Sequence, residues 1–235
     1  MLDPPSGDDR YRRRRVTDFE KILAGIGVKA TSTALDRAYE ASSAFLGRVW
    51  SRNADVPAIE HVRAILRALD DGLPARVPSA AMSALLDAYA APALIVPPAV
   101  DTGARPALEH LRARGVRLAV VSNTMRTPGA TLRKVLDRFG LLDCFAHTTF
   151  SDEVGVRKPD PEIFALTLRA LQVESIDAVH VGDDPVLDVI GARDAGLRVI
   201  QVTSASLRAL GARRPDAVVP SLATLPDALA ELDGA

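Results

Sequence analysis

Three short stretches put polar chemistry just after apolar runs. "VVSNT" at 120–124 ends in Ser122, Asn123 and Thr124. "SDEVGVRKPDP" at 151–161 follows the short strand candidate "AHTTF" and offers Lys158. "VHVGDDPVLDVIGARDAG" at 179–196 passes from an apolar run into Gly182, Asp183 and Asp184, with Asp188 beyond. Hard carboxylate oxygens suit Mg²⁺, which keeps several waters and usually bridges to a phosphate. Ser122 and Lys158 suit the phosphate oxygens, one as a hydrogen-bond donor and one as a point charge. The acids after the third of these runs therefore read as holders of a metal, and the metal as holder of an anion.

For these residues to meet, the apolar runs must be neighbouring strands that end on one side. From about Pro98 onward the chain alternates in that way. Helix "ARPALEHLRARG" precedes strand "VRLAVVSNT", and helix "PGATLRKVLDRFG" precedes the short strand "AHTTF". Helix "PEIFALTLRALQV" leads into "AVHVGDD", and "PVLDVIGARDAG" leads into "LRVIQVTS". A last strand, "DAVVP", comes before a C-terminal helix. Strands and helices at this spacing predict right-handed βαβ units and a parallel sheet covered on both faces. Ligands of such sheets bind at the carboxyl ends of the strands.

Residues 16–97 have another texture. "VTDFEKILAGIGV" puts Phe19, Ile22, Leu23 and Ile26 on one helical face. "TSTALDRAYEASSAFLGRVW" opens with Ser/Thr capping candidates and carries Leu35, Tyr39, Phe45 and Trp50. "PAIEHVRAILRALDDG" and "PSAAMSALLDAYAAP" both start at a proline. No strand-like alternation interrupts them, so this part reads as a helical bundle. The organisation is a 1–15 N-terminal segment, a 16–97 helical unit and a 98–235 sheet unit.

The 235 residues are 48% hydrophobic and 25% charged, which is globular composition with enough apolar material for a core. The net charge of −1 argues against nucleic acid and anionic membrane as partners. The single cysteine, Cys144, excludes an internal disulfide and suits a reducing, cytoplasmic setting. No apolar run approaches the roughly 20 residues a membrane span needs. The N-terminal arginines have no apolar stretch behind them, so no secretory signal is read.

"VVSNT", "VRKPDPEIF" and "HVGDDPVLDVIGARDAG", in this order and spacing, resemble motifs II, III and IV of the haloacid dehalogenase-like hydrolases. The resemblance covers roughly Pro98 to Ser204, and the helical unit resembles the all-α cap that many members insert after their first strand. It implies an α/β fold, a Rossmann-like parallel sheet with an inserted helical cap. It also implies Mg²⁺ and hydrolysis of a small phosphorylated substrate through an aspartyl-phosphate. By that match Ser122 binds the transferring phosphoryl group, Asn123 helps orient it and Lys158 stabilises its charge. Asp183 is then a metal ligand, and Asp188 supports the metal or Lys158.

The family's nucleophile motif, an apolar strand running into Asp-x-Asp-x-Thr before the cap, has no counterpart in "MLDPPSGDDRYRRRRV". The chain reads as starting just after its own nucleophile, with turnover impaired. A buried central strand contributes about 8–15 kcal/mol of apolar burial, comparable to a whole domain's stability. Its neighbours would also be left with orphaned backbone groups. The expectation is that something fills the gap: a strand from another copy, a re-paired internal segment or a rearranged sheet. A possible homo-oligomer follows. "ALIV" at 93–96 is the spare apolar run, but its prolines make it a poor central strand. Two other readings are a non-catalytic phosphate-binding or protein-interaction module, and a metal-free 2-haloacid dehalogenase.

Blander roles fit several residues. Asp101 in "AVDTGARPAL" reads as a turn or cap before a helix. His180, inside a strand, reads as a core histidine, and His61, His110 and His147 lack ligand spacing. "RYRRRR" at 10–15 is short and lacks interleaved aromatics, so it reads as a solvated helix approach. Tyr39, Phe45 and Trp50 read as cap core, although one of them can reach a cleft.

Overall fold

The computed structural model describes residues 2–3, 8–203 and 213–234. The helical half contains α1 (Asp8–Gly25), α2 (Ser32–Trp50), α3 (Ala58–Leu69), α4 (Leu73–Arg76), α5 (Ser79–Ala90) and α6 (Pro92–Ile95). Thr31 caps α2 by accepting from the Ala34 N–H at 3.2 Å. Pro57 and Pro78 stand just before α3 and α5, at starts where their missing N–H costs nothing. The apolar stripes of α1, α2, α3 and α5 meet in one core that includes Phe19, Leu23, Leu35, Tyr39, Val62, Ile65, Leu85 and Tyr89. "ALIV" contributes to α6 and forms no strand. Among the described residues no helix is long and apolar enough to cross a membrane.

The sheet half begins with β1 (Leu2–Asp3), which pairs antiparallel with β2 (Ala99–Val100). Then come α7 (Ala104–Ala113), β3 (Ala119–Ser122), α8 (Gly129–Arg138), β4 (His147–Phe150), α9 (Ser151–Val154) and α10 (Pro161–Leu171). β5 (Val179–Gly182) runs into a π-helical turn over Pro185–Ile190 and α11 (Gly191–Asp194). β6 (Arg198–Val202), β7 (Ala217–Val219) and α12 (Leu225–Gly234) complete it. β3 to β7 fall where the sequence predicts strands, whereas the two-residue β1 and β2 are not among its expectations. Asp101 makes the predicted turn, its Oδ1 accepting from the Gly103 N–H at 2.7 Å.

The pairing is parallel as expected, but the sheet is split. β3 pairs with β4, and β5 pairs with β6 and β6 with β7. Among the described residues no strand lies between β3 and β5. The two pieces nevertheless lie side by side. Val121 packs against the cluster that contains Ile163, Phe164, Val189 and Val199, and Leu118, Val179 and Val181 against the cluster that contains Leu111, Ile200 and Val202. The split is visible in burial: all of β3 and the first three residues of β5 are half-exposed, whereas β6 is buried from Val199 to Val202. Residues 8–25 are helical and supply no strand.

The arginine run at 10–15 lies on α1 and is less solvated than expected. Arg12 pairs with Asp36 and Glu40 at 2.6 and 2.7 Å, and Arg14 with Asp18 at 2.6 Å. Arg15 is 1% exposed. One seam between the two halves runs through residues 53–55 and 155–157. Ala54 bridges Val156, the Asp55 N–H donates to the Gly155 carbonyl and the Arg157 N–H to the Asn53 carbonyl. The buried Asp55 carboxylate accepts from Arg157 Nη1 at 2.6 Å, Ser151 Oγ at 2.5 Å and Trp50 Nε1 at 3.1 Å. A charge taken out of water is tolerated when paired and hydrogen-bonded in this way.

His61 is 2% exposed in the helical half, with Nδ1 2.9 Å from the Tyr89 hydroxyl. Burial first, then the positive charges of Arg126, Arg15 and Arg157 against the opposing Asp55, push its pKa down to about 4. The unfolded chain binds a proton at His61 below about pH 6.5, and the folded one does so below about pH 4. Stability is therefore lost as pH falls through that window, by about 3 kcal/mol at its acid end. Urea unfolding from pH 7 to 4.5 should show a shallower decline for His61→Asn, which keeps a partner for Tyr89 without titrating. Equal slopes for the two proteins would refute a buried neutral histidine.

Candidate active site

The carboxyl ends of β3 and β5 and the loop after β4 and α9 carry the polar residues. Ser122 closes β3 in register with Phe150. Its hydroxyl is half-buried and has no hydrogen-bond partner among the described residues. Asn123 uses both ends of its amide on the backbone of Lys158. Its Oδ1 accepts from the Lys158 N–H at 2.8 Å, and its Nδ2 donates to the Lys158 carbonyl at 3.0 Å. Thr124 is buried and pins the same loops, its N–H donating to Ser151 Oγ at 2.9 Å.

Asp188 is the centre of the arrangement. Its Oδ1 accepts from Lys158 Nζ at 2.6 Å and lies 2.8 Å from His180 Nε2. Its Oδ2 accepts from the N–H groups of Asp183 and Asp184, at 3.2 and 3.0 Å. Local sequence explains its position. Asp184 caps the turn by accepting from the Val186 and Leu187 N–H groups, and Pro185 takes the first helical place. The π-helical turn then leaves Asp188 only 3% exposed. Gly182 is required for close approach, because a Cβ there would stand 2.2 Å from the Asp188 carboxyl carbon.

The charges set opposite tendencies. Burial opposes ionisation of Asp188, but the Lys158 ammonium and His180 outweigh it and hold the carboxyl well below the usual carboxylate range. Asp183 is pushed up, first by burial and then by the negative charge of Asp188, with Lys158 opposing. No cation pairs with Asp183 among the described residues. Lys158 gives one of its three donors to Asp188, leaving the others for a ligand.

All five residues singled out in the sequence thus lie at one edge of the fold, with different tasks. Ser122 and Asp183 present free polar atoms, whereas Asn123 and Asp188 hold Lys158. No cluster of three His, Cys, Asp or Glu side chains among the described residues encloses a metal. The donor set still fits Mg²⁺, which is bound through one or two carboxylates with waters completing its shell. Asp183, a carboxylate without a cation, is the residue suited to it.

Two participants escape the sequence reading. His180 is a site residue as well as a core one, bonding Asp188 while its ring meets Phe164 edge-on at 5.0 Å. The two-residue strand period gives its signal, since His180 and Gly182 share the face of β5 over which Asp188 packs. Gln201 on β6 is buried and donates to the Asp183 carbonyl at 3.2 Å, with Oε1 lacking a partner. Nothing in its local sequence marks it.

Asp188→Asn should cost about 3 kcal/mol in urea unfolding, because it leaves a half-buried ammonium uncompensated. Adding Lys158→Met should return part of that loss. A cost below about 1 kcal/mol for the single change, the worth of a surface pair, would show that the ion pair is peripheral.

Comparison with known proteins matches this architecture. A family model described as haloacid dehalogenase-like hydrolase matches residues 11–196. The human haloacid dehalogenase-like hydrolase domain-containing protein 3 is 38% identical over 137 residues, covering 56% of this chain and 52% of that protein. Glyceraldehyde 3-phosphate phosphatase of Pyrococcus abyssi is 37% identical over 98 residues, covering 42% of this chain and 40% of that enzyme. The chain spans about half the length, or less, of these curated relatives. The crystal structure of a 2-haloacid dehalogenase from Pseudomonas syringae aligns over 96% of this chain and 94% of that one, with a TM-score of 0.65 and 26% identity. With a parallel sheet whose strand ends gather Ser122, Lys158 and Asp183, and a family match over most of its length, this chain belongs to the haloacid dehalogenase-like hydrolases.

Proposed function

We propose that this hydrolase is of the Mg²⁺-dependent phosphatase type and takes a small phosphorylated metabolite. The observation that carries the reading is Lys158, held at 2.6 Å by Asp188, with donors to spare beside the free Ser122 hydroxyl and the unpaired Asp183. Ser122 donates to a phosphate oxygen, and Lys158 answers the phosphate charge. Asn123 holds the Lys158 backbone. Asp188, itself bonded to His180, orients its ammonium. Asp183 would hold Mg²⁺. When bound, that ion supplies charge neutralisation at the phosphoryl oxygens. Relatives named as phosphatases of glyceraldehyde 3-phosphate and phosphoserine support a small phosphate ester.

Turnover by these 235 residues alone is slow or absent in this reading. Asp188 is used by its four donors, Asp184 caps a turn, and Asp183 is committed to the metal. No further carboxylate is available as nucleophile among the site residues. The phosphate-binding module without catalysis is therefore the second reading. The open edges of β3 and β5 favour association with another copy. The buried, unpaired Cys144 suits a reducing, cytoplasmic setting.

Calorimetric titration with inorganic phosphate, with and without Mg²⁺, tests the site. Phosphate release from an aryl phosphate and a small ester panel tests catalysis. Phosphate should bind more tightly with Mg²⁺, and Asp183→Asn should abolish that increment. Little ester should be hydrolysed. Turnover that requires both Mg²⁺ and Asp183 would disprove the slow-turnover reading. Metal-independent halide release from 2-chloropropionate would favour a dehalogenase, in line with the Pseudomonas syringae likeness.

A further inference from the structure

The interface between the helical half and the sheet half holds positive charge that no carboxylate answers. Arg126 lies on the loop leaving β3 and reaches across to α2. Its terminal nitrogens each donate to Ser42 Oγ at 3.3 Å, and one donates to Ser43 Oγ at 2.8 Å. Its guanidinium lies 4.1 Å from the centre of the Tyr39 ring. Arg15 lies behind it, donating to the Tyr89 carbonyl at 2.8 Å, the Tyr39 hydroxyl at 2.9 Å and the Arg126 carbonyl at 2.7 Å. Arg157 shares this interface but is neutralised by Asp55. Among the described residues, Arg15 and Arg126 have hydroxyls, carbonyls and rings as partners and no carboxylate. The neighbouring His61 registers the same field, which adds to burial in keeping its ring neutral.

Neutral partners orient a guanidinium without cancelling its charge. In a partly buried interface that charge attracts an anion more strongly than it would in water. Arg15 is buried and has all three nitrogens engaged, so it acts through Arg126 by gripping its carbonyl. Arg126 is half-buried, and its planar fork matches the geometry of an oxyanion. The backbone from Ser122 to Arg126 spans at most about 14 Å even when fully extended. A substrate whose phosphate sits at Ser122 meets this guanidinium if its far end extends toward α2.

We infer that Arg126 is a specificity-determining residue that binds a second oxyanion of the substrate, a carboxylate or a phosphate, and that Ser42, Ser43 and Tyr39 orient it for this. Arg15 is a positioning residue. The inference rests on the phosphate site proposed above and narrows its substrate class. Phosphorylated acids or bisphosphates are preferred over phosphate esters of neutral alcohols.

Binding by calorimetry on the full chain with Mg²⁺ tests this without needing turnover. One arm compares 3-phosphoglycerate with glycerol 3-phosphate, which differ by a carboxylate. The other compares fructose 1,6-bisphosphate with fructose 6-phosphate. A charge-assisted hydrogen bond predicts a preference of about tenfold or more for the doubly anionic ligand in at least one arm. Arg126→Gln should reduce that preference to below about threefold. Less than about threefold in both arms for the unmodified protein, while inorganic phosphate still binds, overturns the role of Arg126 and leaves the phosphate site standing. A preference that survives in folded Arg126→Gln overturns it as well. Failure of inorganic phosphate to bind at all removes the phosphate site, and the inference with it. The comparison in the unmodified protein is decisive even if the variant folds poorly.

Discussion

Asp188 joins the two pieces of a sheet that share no strand among the described residues. Lys158 comes from the loop beyond β4, and Asn123 ties that loop to the end of β3. His180 and the N–H groups of Asp183 and Asp184 come from β5 and the turn after it. One carboxylate accepting from all of these sets the spacing of the two strand ends. Elsewhere the pieces are held by side-chain packing, which resists separation and tolerates sliding. The directional hydrogen bonds at Asp188 resist sliding too. The site and the joint are therefore the same object, and its geometry depends on one buried charge staying ionised.

The same economy appears at the seam between the halves. Asp55 comes from the helical half and neutralises Arg157, the residue just before Lys158. Ser151 and Trp50 complete its hydrogen bonds, so the charge is buried and fully answered. The loop that carries Lys158 is thus gripped from three directions, by Asn123, by Asp55 through Arg157, and by Asp188 through the ammonium itself. Such support would matter for the anion site proposed above. A flexible lysine at a loop tip would spend much of its binding energy on being ordered.

Charge is distributed unevenly around these joints. Where chain geometry must be held, acids and bases are matched, as at Asp188 and Asp55. At the interface between the halves near Arg126, the cations meet neutral partners instead. Asp183 shows the reverse, a carboxylate raised by burial and by the negative charge of Asp188. Under the function proposed above, a divalent cation would answer Asp183 and a phosphate would answer the spare donors of Lys158.

Much of this was legible in the sequence. The apolar runs ending near Ser122 and Gly182 determined their strands, because a short apolar run bounded by turn residues and lying between helices suits a buried strand; the strand ending in Phe150 was read from its place between two helices. The parallel pairing followed from the helices between them. The convergence of Ser122, Lys158 and Asp183 followed in turn from the strands, since parallel strands all end on one side. Helix starts at Thr31, Pro57 and Pro78 were local chemistry and stood where the residues put them. Tertiary structure decided what each polar atom is used for. Asn123 turns to the Lys158 backbone, His180 joins Asp188, and Arg15 becomes a buried clasp rather than part of a solvated run. It also decided that the sheet is split between β3 and β5. The reason is one of range. Propensity and periodicity act over a few residues and fix elements and faces. The pairing of a charge depends on which distant segment arrives beside it, and that is settled only when the whole chain has packed.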